Sequence, residues 1–143
     1  MRDIISFEGQ YRFLSNFWPC NISAFGYIYQ SVEHAYVASK STHSDDHLAV
    51  FLLKSPGHAK RYGRKLKIRP DFDKIKVHYM RGFLEQKFAR GSALRADLDM
   101  TKGREIVEGN AWGDTFWGQS PVGTGKNNLG RLLMAIRDDI GVV

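Results

Sequence analysis

From Pro70 onward the segment DFDKIKVHYMRGFLEQKFAR sets Phe72, Ile75, Tyr79 and Phe83 at three- and four-residue spacing, with Leu84 and Phe88 close to the same stripe. An apolar stripe of that period requires a helix of about five turns with a core to lie on. Gly82 weakens that helix by roughly 1 kcal/mol relative to alanine and is read as a point of close packing. The other elements are short. DIISF (3–7) has the β-branched content of a strand, and NISAFGYIYQ (21–30) turns at Gly26 between two apolar-aromatic segments, as a hairpin does. SVEHAYVASKS reads as a helix with Ser31 as N-cap and Glu33 in the first turn, where the helix dipole favours a carboxylate. Helices are expected over 45–55, from Pro56 onward and over 92–101. REIVEG (104–109) reads as a strand or extended segment, and NLGRLLMAIRDDIG ends the chain as a helix with Leu129, Leu132, Leu133 and Ile136 on one stripe. The pattern predicts an α+β fold, rich in helix with a small β-sheet, and lacks the alternating rhythm of a doubly wound sheet.

At 143 residues with 43% hydrophobic content, the chain is expected to form a single compact domain over 1–143. No run of 18 apolar residues exists and the N-terminal stretch lacks a signal-peptide pattern, so a cytoplasmic protein without membrane contact is expected. One cysteine, Cys20, leaves no internal disulfide, and the five histidines show no zinc-ligand spacing, so no metal and no cofactor are expected. The net charge is +6, and many of the cations gather in KSPGHAKRYGRKLKIRP (54–70), a field that suits an anionic partner.

Three clusters bear chemistry. In VEHAYVASK, Glu33, Tyr36 and Lys40 return to nearly one helix face over about 10 Å of axis, which offers an acid, a phenol and an amine. The same spacing also describes a solvated, charged helix face. In the Gly-rich stretch GNAWGDTFWGQSPVGTGKNN (109–128), Asp114 lies among Trp112, Phe116 and Trp117. It could work on a sugar beside a base-holding ring, or it could cap a turn while the aromatics fill the core. Lys126 is followed by asparagine and position 120 is serine, which rules out a Walker loop. GTGKNN could still present amides and Lys126 to a phosphate at the start of the last helix, or be an ordinary turn and cap. FLSNFWP (13–19) surrounds Ser15 and Asn16 with aromatics, in a mixture suited to sugar or base edges.

FLSNF, VEHAYVASK, the spaced SP, A and YGR of 55–64, RPDFDKIK, and DTFWG followed by GTGKNNLGRLLMAIR together resemble, in this order, the NADAR domain family of YbiA-like proteins. The resemblance runs from about residue 5 to 140 and implies the YbiA-like α+β fold. It further implies a hydrolase of N-glycosidic bonds to ribose, acting on phosphoribosylamino-pyrimidine intermediates of riboflavin synthesis or on ADP-ribosylated guanine in nucleic acid. The family's acids fall on Glu33 and Asp114, and its lysine on Lys40. Phe72 stands where some relatives have tryptophan, and Gln30-Ser31 where Pro-Thr often precedes the Glu-His pair. Trp117, Gly118, Gly125, Lys126, Asn127 and Gly130 match the terminal motif. Substrate contacts are accordingly expected from Ser15, Asn16, Phe17, Trp18, Tyr36, Arg64, Phe72, Trp117, Gly118, Lys126 and Asn127. Arg61, Arg64 and Lys126 would face phosphates, and Phe17, Trp18 or Trp117 a base.

Cleavage of a ribosyl–nitrogen bond builds positive charge on the sugar and negative charge on the leaving base. Two routes fit these residues: carboxylates that stabilise the sugar cation, activate water and protonate the base, or attack by Lys40 at C1 to form a Schiff base that water hydrolyses. A domain that binds nucleotide, ADP-ribose or nucleic acid without chemistry is the alternative class.

Overall fold

The computed structural model describes residues 2–140, which divide into two units, one continuous (16–87) and one assembled from both ends of the chain (2–15 with 88–140). Among the described residues there are six α-helices, one 3₁₀ turn and a two-stranded antiparallel sheet, the helix-rich α+β architecture that the periodicity predicts.

In the continuous unit, β1 (Ile22–Ala24) pairs with β2 (Tyr27–Tyr29) through a tight turn whose central residues, Phe25 and Gly26, both have positive φ (54° and 85°). That turn type matches the twist of the paired strands and normally selects glycine or asparagine. Phe25 adopts the conformation at a cost of about 1–2 kcal/mol, offset by its ring, which stacks on His47 at 4.5 Å and packs beside Tyr79. The Gln86 amide clamps the outer strand, accepting from the Ser23 N–H and donating to its carbonyl.

Helix α1 (Val32–Ser39) is the centre of this unit and packs against α2 (Ser44–Leu52), α3 (Pro56–Gly63) and α4 (Phe72–Lys87). Ser31 caps it, accepting from the His34 N–H. The His34 Nε2 lies 2.9 Å from the Leu53 carbonyl and must donate there, so Nδ1 accepts from the Ser31 hydroxyl. Burial holds this imidazole below its usual proton affinity. Every residue of α1 is buried except Glu33, so the alternative of a solvated charged face does not describe this helix. Gly82 of α4 is exposed, with open space where a Cβ would stand, and is not the close-packing point expected of it.

In the second unit, the expected strand over 3–7 is reduced to one parallel bridge, Ile4 to Ile106, in which Ile4 N–H donates to Glu105 O and Val107 N–H to Ile4 O. REIVEG is likewise extended and forms only the bridges at Ile106 and Gly109. The 3₁₀ turn Gly9–Leu14 follows, then α5 (Ala93–Asp99), capped by Ser92, and α6 (Asn128–Arg137), whose four expected apolar residues are all buried. Two buried arginines tie the unit together. Arg95 donates to the carbonyls of Phe88 and Ile136, and Arg137 to those of Thr101 and Arg104. No described helix is long and apolar enough to cross a membrane.

Candidate active site

Residues 16–87 bring five of the expected site residues into one neighbourhood. Glu33 sits in the first turn of α1, half-buried, and its N–H donates to the Asn16 carbonyl at 3.1 Å. Asn16 thus lies against the start of the helix that carries the acid. One end of its carboxamide faces the Met80 sulfur at 3.6 Å, and the other, placed as Oδ1, is buried with no hydrogen-bond donor among the described residues. Tyr36 is buried, with its ring 5.5 Å from that of Phe72. Lys40 closes α1, and its ammonium stands 5.5 Å from the centroid of the Tyr36 ring.

Lys40 is half-buried, and loss of water drives its proton affinity below that of an ordinary lysine. Glu33 opposes this shift by favouring the ammonium, while Lys76, Lys60 and Arg64 reinforce it by repulsion. The result is an amine coupled to one carboxylate and crowded by three cations, an arrangement that both lowers the amine's affinity for a proton and attracts an anion. Of these cations only Arg64 is singled out by the sequence as a phosphate contact. Lys60 and Lys76 look like any solvated lysine until α3 and α4 converge on the end of α1.

Gly63 is a second residue whose role is invisible in the sequence. A Cβ built there stands 3.2 Å from both Val37 methyls and 3.5 Å from Lys40 Nζ. The glycine therefore lets the last turn of α3 approach the ammonium. Gly63→Ala gains helix propensity of about 1 kcal/mol and loses a similar amount to crowding, so its stability is expected within about 1 kcal/mol of wild type. Gly63→Val is expected to cost about 1–3 kcal/mol in thermal unfolding and to displace the ammonium, because its branches have nowhere to go.

Phe17 and Trp18 are exposed, at 40% and 37%. No described contact joins either to Lys40.

The other expected residues belong to the unit formed by 2–15 and 88–140. Ser15 follows the 3₁₀ turn, its N–H donating to Arg12 O. Asp114 Oδ1 accepts the N–H groups of Phe116 (3.2 Å) and Trp117 (2.9 Å), while Asn110 exchanges two hydrogen bonds with the Asp114 backbone. This oxygen caps the turn, and Trp117 is buried beside it with its ring edge-on to Phe116. Gly118 is packed so tightly that a Cβ would meet Glu108 O at 2.3 Å. Lys126 is exposed, and its ammonium lies 5.7 Å from the Phe116 ring centroid.

At the start of α6 the backbone follows the turn-and-cap alternative for GTGKNN. The N–H groups of Lys126, Asn127, Asn128 and Leu129 donate to the carbonyls of Thr115, Gly118, Phe116 and Trp117, which leaves none of the four for an anion. Asn127 is a strut. It is buried at positive φ, accepts from Glu108 N–H through Oδ1 and donates to Ile106 O through Nδ2. Each end of its amide makes a hydrogen bond within the unit.

One functional group has no precursor in the sequence reading. Lys87, in the last turn of α4, is 3% exposed, and burial lowers its amine to a pKa of about 7, with Cys20 as its charge neighbour. From the sequence it is one more cation at a helix C-terminus, the commonest place for one.

Known proteins resemble this chain in sequence and in fold. A profile of the NADAR domain matches residues 6–141. The N-glycosidase YbiA of Escherichia coli is 32% identical over 141 residues, covering 96% of this chain and 86% of that protein. The N-glycosidase Npun_R5314 of Nostoc punctiforme is 33% identical over 135 residues, covering 91% and 86%. A riboflavin biosynthesis protein of Vibrio vulnificus is 34% identical over 130 residues, and the chain spans only 35% of its length. The NMR structure of E. coli YbiA superposes with a TM-score of 0.83 at 32% identity, covering 97% of this chain and 86% of that one. The matched length and the shared fold together establish that the chain belongs to the NADAR domain family.

Proposed function

We propose that this chain is an N-glycosidase, a glycosylase-type hydrolase that cleaves the bond between ribose C1 and a nitrogen of a heterocyclic base or amine on a phosphorylated ribosyl substrate. The observation that carries the proposal is Lys40: an amine with lowered proton affinity, coupled to Glu33 and ringed by Lys60, Arg64 and Lys76. Relatives close to this chain in length bear the name N-glycosidase. A cationic surround suits a sugar carrying phosphate, and an amine of lowered proton affinity beside an acid suits attack at C1.

In the covalent route, the Lys40 ammonium passes a proton to the Glu33 carboxylate; the freed Lys40 nitrogen bonds to C1 as the C1–base bond breaks, and Glu33 delivers that proton to the departing nitrogen. The C1–ring oxygen bond then opens to leave a protonated imine. Water adds at C1, the C–N bond to Lys40 breaks, and the sugar leaves with the lysine restored. In the direct route, Glu33 activates water and Lys40 serves as a fixed positive charge for the phosphate. Asn16, with one end of its amide unpaired, is suited to a sugar hydroxyl, and exposed Phe17 and Trp18 to a base. Asp114 is carried as a second acid on the family resemblance, and its Oδ1 cap fixes the carboxylate's direction.

The phosphoribosylamino-pyrimidine of riboflavin synthesis is the first substrate to test, and ADP-ribosylated guanine in nucleic acid the second. Each is to be incubated with the protein and base release followed by mass spectrometry. Borohydride added during turnover is expected to trap the sugar on Lys40 as a secondary amine, found by peptide mapping. Lys40→Ala retaining full activity with no trapped adduct would eliminate the covalent route. Absence of release from both substrates, with salt-sensitive binding to single-stranded nucleic acid, would favour a binding module instead.

A further inference from the structure

The turn that follows Lys40 is held more firmly than a surface turn requires. Ser41 is 1% exposed, and all of its polar groups are engaged: its N–H donates to Ala38 O, its carbonyl lies 2.7 Å from His47 Nε2, and its hydroxyl accepts from the His43 N–H. That hydroxyl donates in turn to Asp46 Oδ2 at 2.5 Å. The other oxygen of the same carboxylate, Oδ1, accepts from the Tyr62 hydroxyl at 2.6 Å. Ser41 is the residue after Lys40, and Tyr62 is the residue before Gly63, whose missing side chain admits the Lys40 ammonium.

One carboxylate in the first turn of α2 therefore joins the end of α1 to the end of α3. We infer that Asp46 is a positioning residue for Lys40: by tying Ser41 to Tyr62 it holds the two helix ends together around the ammonium.

The chemistry of the strut supports this. Two hydroxyl donors on one carboxylate make charge-assisted hydrogen bonds, which are short and strong. They hold Asp46 below the usual carboxylate range and push Tyr62 up to about 12, so Asp46 stays ionised and Tyr62 stays a donor across the range in which enzymes work. Lys40 itself is acted on most strongly by Glu33, Lys76, Lys60 and Arg64, and Asp46 lies outside that set. Its influence runs through geometry: with the strut intact, α3 keeps water from the amine and keeps Lys60 and Arg64 close to it. Cutting the strut lets the helix ends part, which rehydrates Lys40 and restores its affinity for a proton.

The consequence for turnover rests on Lys40 being the reactive amine, so the test reads Lys40 directly. Its titration is followed by NMR at the side-chain Cε, assigned by loss of the signal in Lys40→Arg. Asp46→Ala is expected to raise the Lys40 titration midpoint by about one pH unit, and Tyr62→Phe and Ser41→Ala, which each cut one arm, by less. Asp46→Asn, able to accept from only one hydroxyl, is expected to fall between wild type and Asp46→Ala. Gln86→Ala, which releases the Ser23 clamp, is the control for general loosening and is expected to lower the melting temperature without moving Lys40. An unmoved Lys40 in Tyr62→Phe and Asp46→Ala, with lowered melting temperatures, would overturn the inference and leave Asp46 a purely structural anchor. If Asp46→Ala does not fold, Tyr62→Phe decides alone. A shifted Lys40 with unchanged kcat would uphold the strut and refute the reading of Lys40 as the reactive amine; a fall in kcat with KM unchanged would uphold both.

Discussion

Lys40→Met is expected to reduce base release by about 10²–10⁴-fold while leaving the melting temperature equal to or above that of wild type. Methionine keeps the length and the apolar stem of lysine but removes an ammonium that the fold desolvates. Loss of activity without loss of stability is the signature of chemistry rather than of scaffolding. Glu33→Gln is expected to lose activity on a similar scale, for a different reason. Glu33 favours the Lys40 ammonium, so removing its charge moves the Lys40 titration lower and enlarges the neutral fraction of the amine. If the amine is the nucleophile, the acid limb of kcat against pH follows Lys40: it should shift to lower pH in Glu33→Gln while the plateau falls, because the proton for the leaving base has gone. Both variants turning over at wild-type rates would end this site assignment. An acid limb that stays fixed in Glu33→Gln would separate Lys40 from the rate.

The protein should become more stable as the solution is made alkaline from pH 7 to about 9. Lys87 and Lys40 have folded-state pKa values below the unfolded value of about 10.5, Lys87 at about 7. Between those limits the unfolded chain holds more protons than the folded one, so raising pH favours the fold. A single group in mid-window contributes up to about 1.4 kcal/mol per pH unit. Cys20, raised above 9.0, and Tyr29 and Tyr62, both pushed to about 12, act in the opposite sense, because the unfolded chain gives up these protons first. Stability should therefore pass through a maximum near pH 9–10 and decline beyond it. Lys87→Met is expected to flatten the rise between pH 7 and 9, leaving only the smaller Lys40 component. Chemical denaturation at half-unit pH steps measures this, and an identical slope in wild type and Lys87→Met would show that Lys87 does not titrate in the folded state as its burial requires.

What the sequence disclosed and what it hid follow from the range over which each signal acts. The long helix α4 and the stripe of α6 were legible because their periodicity is local, and the hairpin was legible because one turn sets its register. The N-terminal strand was overestimated. Its partner, Ile106, lies about a hundred positions away, and a five-residue segment cannot announce how many of its residues will pair. Helix α1 was ambiguous for the opposite reason: eight residues buried nearly all round carry no amphipathic stripe, so Glu33 and Lys40 read equally well as surface charges. Lys87 and Gly63 were hidden because burial of an amine and contact at a missing side chain are properties of packed helices, not of residue types. In the loop 109–128 the residues matched the family pattern. Their backbone partners, which decide whether an amide is free for an anion, appeared only with the fold.

The division of the chain also sets an order of assembly. Residues 16–87 leave the ribosome as one uninterrupted stretch, with their hairpin, helices and the Asp46 strut all encoded within 72 consecutive positions. The unit that uses both termini cannot close its Ile4–Ile106 bridge, nor the contact of Arg104 with the Arg2 carbonyl, until more than a hundred residues have been made. During synthesis residues 2–15 must therefore wait without their partners, and the amine-bearing half of the molecule is free to form while they wait.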